Sequence, residues 1–91
     1  HPGWMADAIA NGDADIVYEM YKRLPDTDAA AQAEKAYQNI CGAKTKMEKF
    51  RHITVFEVFR PDLSANAIKS FYDQAVKDGE TVFVDYMKYK L

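Results

Sequence analysis

Along most of the chain the apolar residues recur every three or four positions, and glycines and prolines interrupt the stripes they form. Trp4 to Ala10 reads as a short helix, and Asn11-Gly12 reads as a turn. Asp13 is placed to cap a second helix by accepting from its exposed N–H groups. That helix carries Ile16, Val17, Met20, Tyr21 and Leu24 on one stripe, and Pro25 is expected to stop it. Thr27-Asp28 is suited to capping a third helix, rich in alanine, whose apolar face is Ala33, Tyr37 and Ile40 and which ends at Gly42. Beyond Pro61, Ser64 reads as a cap for a helix with Ile68, Phe71, Tyr72, Ala75 and Val76 on its stripe before Gly79.

Two stretches do not declare themselves. From Lys44 onward, Met47, Phe50, Thr54 and Val58 fit one helical face, yet within residues 52–60 Ile53-Thr54-Val55 favours a strand. Residues 81–89 are equally divided. Local propensity makes both strands, giving an α+β fold in which N-terminal helices precede a β-α-β unit. Internal similarity argues against it. Aligning Gly79 with Gly12 sets Phe71 on Trp4, Ala75 on Ala8, Val76 on Ile9, Glu80 on Asp13, Val84 on Val17, Met87 on Met20 and Leu91 on Leu24. In the middle, Val55-Phe56-Glu57-Val58-Phe59-Arg60 before Pro61 echoes Val17-Tyr18-Glu19-Met20-Tyr21-Lys22 ahead of Pro25. The likeness predicts an all-α chain of three helix-turn-helix hairpins, at residues 3–25, 27–61 and 63–91, stacked as a short α-solenoid.

The stretches WMADAIANGDADIVYEMYKRLPDTD and AIKSFYDQAVKDGETVFVDYMKYKL each resemble a pentatricopeptide-type repeat, in which one helix ends at a glycine turn and the next carries an aliphatic or aromatic pattern followed by Met or Leu. The hairpin scale is also similar to the tetratricopeptide repeat of about 34 residues. The resemblance covers a little over half the chain and implies an architecture common in organelle proteins and in subunits of mitochondrial assemblies. Family members that read RNA do so through a small polar residue early in each first helix. The matching positions here hold Pro2 and Lys69, neither suited to a base edge, so the resemblance implies protein binding in preference to RNA.

Composition narrows the function classes. A chain of 91 residues is one domain or a piece of one, and hydrophobic and charged fractions of 48% and 29% are those of a folding sequence. No apolar run exceeds three residues, as at Val82-Phe83-Val84, so a membrane span is not expected. The first residue is His1 rather than Met, which reads as a processed form or an excised segment, and nothing in the sequence gives the compartment. A net charge of −2 disfavours nucleic acid as the main partner. The most basic stretch holds Lys44, Lys46, Lys49, Arg51 and His52; phosphate binding competes there with a solvated helix face, which an acidic chain favours.

No catalytic chemistry, cofactor, metal or small-molecule substrate is indicated. His1 and His52 have no spacing that pairs them with the lone Cys41, which is expected to be a buried or half-buried apolar side chain. The acids at Asp13 and Asp15, and at Asp26 and Asp28, sit at helix starts where capping accounts for them. The expectation is a non-enzymatic protein-interaction or scaffold domain, a subunit or accessory piece of an assembly, with an RNA-binding helical repeat as the alternative. Among the aromatics, Tyr86 and Tyr89 on the last segment are the candidate partner contacts.

Overall fold

A computed structural model describes residues 2–24 and 26–90 of the chain, apart from the side chain of residue 2. His1, the stop expected of Pro25, and the pairing of Leu91 with Leu24 lie outside the described residues, as does the Pro2 side chain. Six helices account for the fold: α1 (Pro2–Asn11), α2 (Ala14–Arg23), α3 (Ala29–Gly42), α4 (Lys46–Phe59), α5 (Pro61–Lys77) and α6 (Thr81–Lys90). No described residue lies in a strand, so the chain is all-α, and both undecided stretches are helical. Short turns join α1 to α2, α3 to α4 and α5 to α6, and the members of each pair pack together. The molecule is elongated, 42 × 23 × 22 Å.

The core is two clusters that share α4. Met5, Ala8 and Ile9 of α1, Val17 of α2, and Ala33 and Ala36 of α3 enclose Val55 and Phe59. Ile68 and Ala75 of α5 and Phe83 and Met87 of α6 enclose Phe50 and Ile53. At about 100° per residue, Val55 and Phe59 face roughly 140–180° away from Phe50. A helix with a core on both sides shows no single apolar stripe, which is why its period was unreadable and why Ile53-Thr54-Val55 resembled a strand. Burial overrides β-propensity here, and Thr54 Oγ1 satisfies itself by donating to the Arg51 carbonyl at 2.6 Å.

Other helices bury slightly different faces from those expected. In α3 the buried stripe is Ala33 and Ala36 with Ile40 half-buried, while Tyr37 is exposed and its ring lies 6.4 Å from that of Phe56. The small alanines let α3 lie close along α4. Ile16, Leu24 and Val76, placed on apolar stripes by the sequence, are exposed.

Capping also departs from the expected pattern. Asp28 does cap α3, accepting from the Ala31 N–H at 3.1 Å. Ser64 is not a cap: α5 starts at Pro61, whose missing N–H suits a first helical position, and Ser64 is buried within the helix. Its hydroxyl has no hydrogen-bond partner among the described residues. Thr45 caps α4 by accepting from the Glu48 N–H at 3.1 Å. Asp13 precedes α2 but makes no capping bond, because its carboxylate is held elsewhere.

The turns after α1 and α5 are the same structure made twice. Gly12 and Gly79 adopt φ of 73° and 71°, the left-handed conformation that only glycine enters cheaply. The Asp13 N–H donates to the Ala8 carbonyl at 2.9 Å and that of Gly12 to Ile9 at 3.2 Å. The corresponding bonds, Glu80 to Ala75 at 3.0 Å and Gly79 to Val76 at 3.1 Å, close the second turn. Gly42 has neither a positive φ nor a close neighbour, so the middle turn is built differently.

These three glycines should respond to alanine in a definite order under urea denaturation. Gly79→Ala should cost about 1 kcal/mol from backbone strain alone. Gly12→Ala should cost more, since its Cβ would also stand 3.2 Å from the Arg51 Cβ. Gly42→Ala should be neutral or stabilising by up to about 1 kcal/mol. Ser64→Ala, which removes an unpartnered buried hydroxyl, should likewise not destabilise.

Candidate functional site: a lysine-rimmed cleft beside the start of α4

The segment Ala43-Lys44-Thr45 carries the chain from α3 into α4, and the Thr45 cap fixes where α4 begins. Lys46 and Lys49 follow on the first turns of α4, so three lysines come together at this end of the helix. Opposite them lies α5, presenting Ser70, Phe71, Gln74 and Ala75, with Phe83 of α6 completing the floor. The cleft between them has a volume of about 450 Å³. Its aromatic floor is continuous with the core: the Phe83 ring meets Phe71 edge-on at 6.3 Å and Phe50 at 6.0 Å.

The three lysines are not equivalent. Lys46 Nζ is bonded to Glu80 Oε1 and lies 3.6 Å from Asp78 Oδ2. The hydrogen bond to Glu80 holds its pKa above the usual lysine value. Asp78 also accepts from Gln74 Nε2 at 2.9 Å. Lys44 and Lys49 make no ion pair among the described residues, and they supply the rim's uncompensated positive charge.

Arg51 does not belong to this cleft. It reaches in the other direction, where its Nη2 donates to Asp13 Oδ1 at 3.1 Å. The stretch Lys44, Lys46, Lys49 and Arg51 is therefore divided into two lysines with no ion pair among the described residues, one lysine latched to the α5–α6 turn and an arginine latched to the α1–α2 turn. Asp13 and Glu80, equivalent in the two glycine turns, each take a basic residue of α4. That equivalence was present in the alignment of Gly12 with Gly79, but the link to α4 was not.

The tyrosines separate as well. The ring of Tyr86 packs edge-on against Phe50 at 5.9 Å, as part of the second cluster. Tyr89 is 84% exposed, with Lys90 Nζ 5.9 Å above its ring. Val82 is 80% exposed, and at a separation of seven residues it shares with Tyr89 the outer stripe of α6. Lys69, in the position of a base reader, is engaged with Asp73 at 2.7 Å.

Cys41 is exposed, contrary to the burial expected of it, because the inward stripe of α3 runs through Ala33, Ala36 and Ile40 and leaves Cys41 about 140° from Ala36 around the helix. A hydrogen bond with it raises the pKa of Tyr37. His52 is half-buried and its Nδ1 has no partner among the described residues. Burial first, then the neighbouring Arg51 charge, lowers its pKa. Among the described residues no three His, Cys, Asp or Glu side chains gather as a metal site, and no helix is long and apolar enough to cross a membrane.

Neither family models nor curated proteins nor solved structures give a significant match to this chain.

His52 generates a pH dependence of defined sign. Its folded pKa lies below the 6.5 of the unfolded chain, so on acidification the unfolded state takes up the proton first. Its contribution is fully present above that unfolded value and is lost as pH falls towards the native one. Urea midpoints at about pH 5.5 and about pH 7.5 should show this loss in the wild type and a smaller one in His52→Gln.

Proposed function

We propose that this chain is a non-catalytic protein-interaction domain, a subunit or accessory piece of a larger assembly, whose helical pairs stack as a short solenoid. The observation that carries this reading is the outer stripe of α6. Val82 and Tyr89 are 80% and 84% exposed two turns apart on one face of α6, a pair of large apolar side chains that contact with another protein would cover. Tyrosine beside an aliphatic residue is the composition of an interface centre, offering large rigid contact area at low entropic cost.

Sequence and electrostatics agree with a protein rather than RNA as the partner. The net charge is −2, two of the four residues in the basic stretch are bound to acids, and the base-reading position Lys69 is paired along its own helix. The pentatricopeptide-like pattern of the two ends supports the same architecture, and with it a place in an organellar assembly such as a mitochondrial complex.

Affinity purification of the tagged full chain, with and without nuclease, tests the proposal. A stoichiometric protein should be retained after nuclease treatment, and the double variant Val82→Ser/Tyr89→Ala should weaken that retention by about tenfold or more. Because both side chains are solvent-facing, its stability should stay within about 0.5 kcal/mol of wild type. Retention that nuclease abolishes would instead establish the RNA-binding alternative.

A further inference from the structure

We propose that the lysine-rimmed cleft is a docking site for an acidic peptide segment of a protein partner. One large apolar side chain of that segment sits on Phe71 and Phe83, and flanking carboxylates reach Lys44 and Lys49. The proposal rests on the reading of the chain as a protein-interaction domain and gives that reading a partner chemistry.

Three features of the cleft select this occupant. Its volume of about 450 Å³ is too small for a docked helix but accommodates one bulky side chain with its adjoining backbone. Its floor is aromatic and already braced by Phe50, so an incoming apolar group meets a rigid surface without displacing the core. On its rim, Lys44 and Lys49 carry positive charge that no acid among the described residues neutralises within 4 Å, in a chain whose net charge is negative. Two such charges beside an aromatic floor complement an acidic segment that carries an apolar side chain. Ser70 on the α5 wall supplies a hydroxyl for the segment's backbone.

The same surroundings disfavour a nucleic acid. Asp78 and Glu80 stand at the edge of the cleft, where they hold Lys46. A run of phosphates laid along the rim would face those acids at fixed spacing, whereas a peptide can set its carboxylates on Lys44 and Lys49 and leave neutral residues towards Asp78 and Glu80.

The test uses the full chain and a fluorescein-labelled ten-residue peptide with a Glu-Asp-Phe-Asp-Glu centre, followed by fluorescence anisotropy at about 50 mM salt. The expected result is saturable binding that falls about tenfold or more in Lys44→Glu/Lys49→Glu, falls comparably when the peptide Phe is replaced by Ser, and weakens with added salt. Far-UV circular dichroism establishes that the variant is folded, and Lys44→Gln/Lys49→Gln, which removes charge without reversing it, should give an intermediate loss. Absence of binding, or binding indifferent to the two lysines, overturns the proposal. So does a labelled single-stranded RNA of equal length that binds more tightly than the peptide with the same lysine dependence. Failure here is distinguishable from failure of the broader reading. If the cleft variant retains the co-purifying protein as wild type does while Val82→Ser/Tyr89→Ala loses it, the domain still binds protein and the cleft is not the place.

Discussion

The fold depends on α4 being covered from opposite sides. Phe50 and Ile53 face one cluster, Val55 and Phe59 the other, and the partners of the first pair follow α4 in the chain while those of the second precede it. In a domain this small, where surface is large relative to volume, a helix buried on two faces contributes more apolar area per residue than any peripheral helix can. It also removes independence from the parts. Of the surrounding helices, α2, α3 and α5 pack mainly on α4, while α1 and α6 pack mainly on their neighbours, and each cluster is completed by side chains of α4.

Electrostatics repeats that arrangement at lower energy. The glycine turns after α1 and α5 leave an acid at the same position, Asp13 in one and Glu80 in the other, and α4 extends Arg51 to the first and Lys46 to the second. Exposed pairs of this kind add little to stability, because solvent screens them. Their effect is better described as orientation: two turns built by the same hydrogen bonds are tied to a common helix. It also decides which cations remain for other work, and leaves Lys44 and Lys49 over the cleft.

Much of the fold could be read from the residues because the informative signals were local. Gly12 and Gly79 mark left-handed turns whose geometry needs no tertiary context, and Asp28 caps the helix it precedes. What was misread depended on neighbours. The face of α3 shifted from Tyr37 to Ala36 because only alanine allows the close approach to α4. Pro61 ends one helix and also starts the next, so the cap that the pattern places on Ser64 falls inside α5. The cleft was unreadable for a related reason. Phe71 and Phe83 are core residues by pattern, and their exposed edges become a floor only once α4, α5 and α6 are set against one another. Tyr86 and Tyr89, three residues apart on one helix, could be told apart only by the placement of Phe50.

Arg60 has a mechanical consequence. It is the whole connection between α4 and α5, with φ of −136° and ψ of 65°, and its guanidinium is clamped to Asp62 by bonds of 3.2 and 3.1 Å. A joint of one residue offers two torsions and almost no slack, whereas the connection between α2 and α3 spans residues 24–28. Any hinge between α4 and α5 therefore has only those two torsions to move in, and the bonds to Asp62 restrain the side chain of the residue that carries them.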